Sequence, residues 1–171
     1  MSETHSQPPA GVVSSVALEI VPVEEEEDDL DTLAAVGNLQ MEVQREVAHL
    51  EGYTVSTLPG SDSREAARGI DLILLITLLG ASVAAYKDLL TSIFQMVSTV
   101  VEVLAKRGRV QEIEIIADGK TVILRDVSKK TAKELIETFE AQHPGATAKL
   151  TPGTTLQVKA RVSKKSKRRT S

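Results

Sequence analysis

Hydrophobic and polar positions follow three different rhythms along this chain. From Val12 to Val23, Val16, Leu18 and Ile20 alternate with Ala17, Glu19 and Val21. A period of two predicts a strand, and Pro22 ends it. From Asp28 to about Val36 the pattern predicts a short helix with Leu30 and Leu33 inward. Gly37-Asn38 predicts a break or kink, after which Leu39, Val43, Val47 and Leu50 form a second helical stripe closed by Gly52. Tyr53 to Leu58 reads as a short strand ended by Pro59-Gly60. The opening third is therefore strand, helix, strand. If both strands lie in one sheet, they run parallel and are joined by a right-handed crossover.

The longest apolar stretch runs from about Ile70 to Arg107. Leu72 to Tyr86 carries no charge and is apolar all round apart from Thr77 and Ser82, which predicts a helix buried in protein or in lipid. Leu90, Ile93, Val97, Val100 and Leu104 then recur in steps of three and four. Asp88, Thr91, Ser92, Gln95, Ser98, Thr99 and Glu102 form the opposite, polar stripe, so this half predicts one covered and one wet face. Together the halves predict one long central helix over about 62–107. Asp62 and Glu65 fit a capping box at its start. Lys106 and Arg107 stand before Gly108 at its end, where cations complement the helix dipole. Gly80, Ala81, Ala84 and Ala85 give small-residue spacings that let another helix approach closely. They are the expected contact surface, through which the chain oligomerises. The uncharged run would span about 22 Å as a helix, short of the roughly 20 residues that a bilayer core requires. Insertion of residues 70–101 in or on a membrane is therefore the alternative reading. Asp71, at the edge of the run, lies within reach of Arg68 one turn earlier for a surface ion pair.

Past Gly108 the period returns to two. Ile113 and Ile115 face one way, Glu112 and Glu114 the other. Asp118-Gly119 predicts a type I′ turn, so residues 111–127 form an antiparallel hairpin. Ser128 is expected to cap a helix to about Gln142, with Ala132, Leu135, Ile136 and Phe139 inward. His143-Pro144-Gly145 ends it, and Thr154 to Val162 supplies a last strand. The expected fold is α+β: a small mixed sheet with a β-α-β start, one long apolar central helix, then a β-hairpin, a helix and a terminal strand. Residues 1–12 read as a disordered lead-in, 13–162 as a single domain and 163–171 as a basic disordered tail.

Composition narrows the chemistry. There are 171 residues and no cysteine, which excludes thiol catalysis, disulfides and Cys-ligated zinc. There is no tryptophan, and Tyr and Phe number two each, poor material for stacking single-stranded nucleic acid. His5, His49 and His143 have no partner at metal-ligand spacing, and the glycines and serines form no phosphate loop or nucleophile elbow. No catalytic, cofactor-binding or metal-binding residue is expected, and the protein reads as no enzyme. No secretory signal opens the chain, which points to the cytoplasm. The net charge of −4 is strongly polarised: Glu24 to Asp31 holds seven acids, and Lys159 to Arg169 seven bases and no acid. The acidic run reads as a solvated loop and helix start. The tail residues Lys164, Lys165, Lys167, Arg168 and Arg169 are candidates for phosphate, for anionic lipid or for the chain's own acidic segment. Deleting Ser163 to Ser171 is expected to leave the fold intact, since the segment has no apolar residue to bury.

The order of parts resembles the effector-associated constant component family. The likeness rests on an acidic strand-and-helix start leading to the strand ending Leu58-Pro59-Gly60, a long small-and-aliphatic helix running into Lys106-Arg107-Gly108-Arg109, the strand-turn-strand Ile113 to Leu124, and a last helix opened by Val127-Ser128. It covers about Val16 to His143; the basic tail departs from it. These are small bacterial proteins associated with NTPase-dependent conflict systems, beside effectors such as peptidases. The resemblance implies a non-enzymatic adaptor or signal-coupling component, with an effector or NTPase of the same system as partner and no cofactor. A membrane-anchored component is the first alternative. A nucleic-acid-binding accessory protein working through the tail is the second and less expected one.

Overall fold

The computed structural model describes residues 12–59, 72–79, 89–150 and 155–164. The elements in chain order are β1 (Val12–Pro22), α1 (Leu30–Ala48), β2 (Tyr53–Pro59), β3 (Leu72–Leu79), α2 (Leu89–Ala105), β4 (Val110–Ala117), β5 (Lys120–Leu124), α3 (Ala132–Gln142) and β6 (Thr155–Val162). The six strands form one mixed sheet in the order β2-β3-β1-β6-β4-β5. The β1–β6 pair is parallel; the β1–β3, β2–β3, β4–β5 and β4–β6 pairs are antiparallel. This is the expected α+β class with its β-α-β start. β1 and β2 do run parallel, but β3 is inserted between them.

Three crossovers connect parallel strands: β1 to β2 through α1, β3 to β4 through α2, and β5 to β6 through α3. The first and third step over one intervening strand in the same sense. The middle one joins strands of the opposite direction and steps the opposite way. Right-handed crossovers of those senses put every helix on one face of the sheet. Contacts of α1 with α2 and of α2 with α3 accordingly join them in a single layer. Val16, Leu18, Ile20, Leu74, Ile76, Leu78, Ile113, Ile115, Leu156 and Val158 point into that layer and are buried. Phe94 of α2 and Phe139 of α3 meet edge-to-face with ring centroids 5.6 Å apart.

The expected helix over 62–107 is corrected in two ways. Leu72–Leu79 is a strand, hydrogen-bonded on both sides to β1 and β2. A short apolar run without a polar stripe suits a central strand as well as a buried helix, and pairing on both edges decides it. The helix that does form is Leu89–Ala105. Its polar stripe is only partly wet: Ser92 and Ser98 are buried, whereas Thr91, Gln95, Thr99 and Glu102 keep partial exposure. α2 is the middle helix of the layer, and the Ser98 hydroxyl donates to the Lys130 carbonyl ahead of α3. Among the described residues no helix is long and apolar enough to cross a membrane, and residues 72–79 of the alternative membrane segment are strand.

Other expectations shift locally. α1 runs without a break through Gly37 and Asn38. The Asp29 carboxylate accepts from the Thr32 backbone N–H, 3.1 Å away, and caps this helix. Leu30, expected inward, is 81% exposed. The hairpin turns where expected, with positive φ at Asp118 (50°) and Gly119 (75°), as a type I′ turn requires. α3 starts three residues later than expected. Its cap is Thr131, which exchanges hydrogen bonds with Glu134 in a capping box.

The strand assignment yields an expected outcome. Leu74→Ala should destabilise the fold by about 2–5 kcal/mol in denaturant unfolding, the usual cost of a buried leucine. Ile123→Thr, on the exposed side of edge strand β5, should change stability by less than about 0.5 kcal/mol. Equal effects would contradict the one-sided layer.

Candidate functional site

The acidic run and the start of the basic tail meet. β1 and β6 run parallel and in register from Ser15–Thr155 to Pro22–Val162, so both chains leave the sheet at the same end. The turn of Glu24–Glu26 folds over the end of β6. The Ser163 hydroxyl donates to Glu26 Oε2 at 2.8 Å, and the Lys164 backbone N–H donates to Glu26 Oε1 at 2.9 Å. The Thr32 hydroxyl donates to Glu26 Oε1 at 2.5 Å. Lys164 Nζ reaches Asp29 Oδ2 at 2.7 Å. The Thr32 hydroxyl and then the Lys164 amide hold the Glu26 carboxyl below the usual carboxylate range. The Lys164 ammonium and then the Thr32 amide do the same for Asp29, while Asp29 raises Lys164.

The expected start of the tail is thereby corrected. Ser163 is buried and Lys164 is held by the acidic run, so polar bonds rather than apolar burial anchor these two residues. Of the three readings of the tail, Lys164 takes the chain's own acidic segment. Lys165, Lys167, Arg168 and Arg169 lie outside the described residues. So do the helix-contact candidates Gly80, Ala81, Ala84 and Ala85, and Asp71 with Arg68.

Beside this anchor lies a groove of about 880 Å³. One wall is α1, which lines it with Asp31, Ala34, Ala35, Asn38, Glu42 and Arg45. Steps of three and four put these residues on one stripe of the helix. The opposite stripe buries Val36, Leu39, Val43 and Val47 in the core. The other wall comes from the α2–β4 turn and the end of β6, with Lys106, Arg107, Arg109, Val162 and Lys164. Ala34, Ala35 and Asn38 keep the trough shallow-sided, and Met41, 59% exposed, adds apolar surface at its lip.

Five cationic side chains line the groove against two carboxylates. Three of the five are engaged. Arg107 bridges Glu42 (3.7 Å) and Glu46 (3.3 Å), Lys106 lies 3.6 Å from Glu46, and Lys164 holds Asp29. Arg109 donates to the Lys164 carbonyl. Among the described residues Arg45 and Arg109 have no carboxylate partner, and Arg107 Nε is buried without an acceptor.

Neither described histidine belongs to a site. His49 Nδ1 pairs with the Arg45 carbonyl at 2.7 Å, and His143 Nε2 with the Thr121 carbonyl at 2.9 Å. Among the described residues no group of three or more His, Cys, Asp or Glu is placed to hold a metal ion. On the sheet face away from the helices, charges neutralise one another. Arg161 meets Glu114 at 2.9 Å and Glu112 at 3.7 Å, and Arg125 meets Glu112 at 3.6 Å. Sequence reasoning missed the groove because its cations are spread over three elements. The trace in sequence was the stripe of small and polar residues on α1 ending at Arg45. No family model, no curated protein and no solved structure matches this chain.

The anchor carries a pH dependence. Glu26 and Asp29 have lowered pKa values, so their contribution is present above the ordinary carboxylate pKa of about 4. It is lost as pH falls through the lower folded values. Lys164 is raised, so its contribution is present below about 10.4 and lost as pH rises through its folded value. The NMR shift of the Lys164 amide should therefore hold steady between about pH 5 and about pH 9 and move on acidification below about pH 4. Glu26→Gln should release it at neutral pH. Truncation after Lys164 should leave unfolding unchanged, whereas truncation after Val162 should lower stability.

Proposed function

We propose that this protein is a non-enzymatic adaptor, working in the cytoplasm and coupling an effector or NTPase of a bacterial conflict system to its trigger. The observation that carries the reading is the groove beside α1: an open, largely polar trough with Met41 at its lip and two guanidinium groups, those of Arg45 and Arg109, without carboxylate partners among the described residues, a surface suited to a partner segment. The sequence resemblance from Val16 to His143, less its long central helix, which is a strand over Leu72–Leu79 and a helix over Leu89–Ala105, suggests the system to which such a partner would belong. Helix α2 is enclosed by α1, α3 and the sheet, so docking is assigned to the α1 groove and not to the face of an apolar central helix.

Nucleic acid is the weaker reading. The groove has no aromatic lining, and its cations stand beside Glu26, Asp29, Glu42 and Glu46. These acids would repel a phosphate backbone.

Co-expression with the effector and the NTPase that the proposal expects as neighbours tests it. A stoichiometric complex should elute as one species in size exclusion with light scattering. Ala34→Trp fills the trough from an exposed helix position and should weaken that complex at least about tenfold, about 1.4 kcal/mol, with unchanged circular dichroism. Absence of a complex with either neighbour would reject the adaptor assignment.

A further inference from the structure

We propose that the occupant of the α1 groove is an acidic, amphipathic segment of a partner protein. This rests on the adaptor reading and specifies what the docking site recognises.

The whole chain is negative at −4, yet the groove is lined by five cations and two carboxylates. Asp29, Glu42 and Glu46 neutralise Lys164, Arg107 and Lys106, so the positive charge left to select a negative partner is that of Arg45 and Arg109. Arg45 and Arg109 lie on opposite walls, one on α1 and one at the start of β4. Neither has a carboxylate partner among the described residues. Guanidinium groups bind carboxylates with two parallel hydrogen bonds, so two acidic side chains entering between the walls meet unused donors on both sides.

Apolar surface supplies the second half of the pattern. Ala34, Ala35 and Leu39 form the trough, and Met41 its lip. Leu30, one turn before Ala34, is 81% exposed. Leu30, Ala34 and Met41 fall within about 40° of each other around α1, at about 100° per residue. An exposed apolar edge beside unpaired arginines fits a segment that alternates small or aliphatic residues with Asp or Glu.

The same features exclude a bare polyanion. A phosphate backbone would leave the apolar edge uncovered and would face the carboxylates of Asp31 and Glu42. A peptide can set its acids against the arginines and its neutral residues against those two carboxylates.

An unbiased peptide display selection against the full chain tests this, with the Arg45→Glu/Arg109→Glu chain as counter-selection. Both positions are exposed, and circular dichroism checks that the variant folds. The selected consensus should be rich in Asp and Glu interspersed with Leu, Ala or Val. Fluorescence anisotropy of a labelled consensus peptide should show binding that weakens at least about tenfold in the double variant. Arg45→Gln should have an intermediate effect, and Arg125→Glu, just after β5, none. Rising salt should weaken the binding steeply. Three results would overturn the proposal: no enrichment, a consensus without acidic residues, or a consensus that binds both chains equally. Tighter binding of a labelled RNA duplex, lost in the same double variant, would also overturn it in favour of a phosphate site. A co-expressed effector complex that survives the double reversal would keep the adaptor reading and reject the acidic segment. Selection of acidic peptides with no effector complex would do the opposite.

Discussion

The parallel ladder between β1 and β6 holds the two parts of the chain together. On one side of it, β2 and β3 extend the sheet; on the other, β4 and β5 do. Closing that ladder brings together residues about 140 positions apart in sequence, at the large entropic cost that long loops carry. The return is a continuous sheet whose buried face is covered by one helical layer. It is also what places both chain segments at one end of the sheet. Without it, Glu26 and Asp29 would have no contact with Ser163 and Lys164.

Charge placement around that end follows from the ladder. The acidic run is dense enough to repel itself, and the structure disperses its roles. Glu26 gathers three donors, Asp29 caps α1 and holds Lys164, and Glu24 and Glu25 remain exposed to water. Glu42 and Glu46 of α1 take Arg107 and Lys106 from the end of α2. The arginines left over, Arg45 and Arg109, border the groove. Exposed ion pairs contribute little stability individually. Their consequence here is spatial: they decide which cations remain available to a partner.

The helical layer explains why the greasiest stretch of the chain does not supply a surface. α2 lies between α1 and α3, so even Ser92 and Ser98 are enclosed. β3 lies between β1 and β2, with Leu74, Ile76 and Leu78 toward the helices and Ile73, Leu75 and Thr77 half-buried on the other side. Among the described residues, the apolar content of 72–79 and 91–105 that suggested membrane insertion is largely packed within the chain. Of the exposed large apolar residues among those described, Leu30 and Met41 lie on α1 by the groove, and Leu58 and Ile123 on the edge strands β2 and β5.

Local chemistry alone determined several parts of this protein. The hairpin was legible because Asp118-Gly119 suits a turn with two positive φ values and the flanking residues alternate. β1, β2, α3 and β6 were legible from period and from their terminators, and the α+β class followed. The sequence also excluded thiol and disulfide chemistry outright. Tertiary structure decided the rest. Leu72–Leu79 has no polar stripe, so its period could not separate helix from strand; two neighbouring strands settled it. Gly37-Asn38 suggested a break, but packing of Val36, Leu39 and Val43 on the sheet carries α1 through them, since core burial outweighs a glycine's cost of about 1 kcal/mol. The groove was not legible, because Arg45, Arg109 and Lys164 are far apart in sequence. Which cations stay unpaired depends on which carboxylates reach them, and only the folded chain sets those distances.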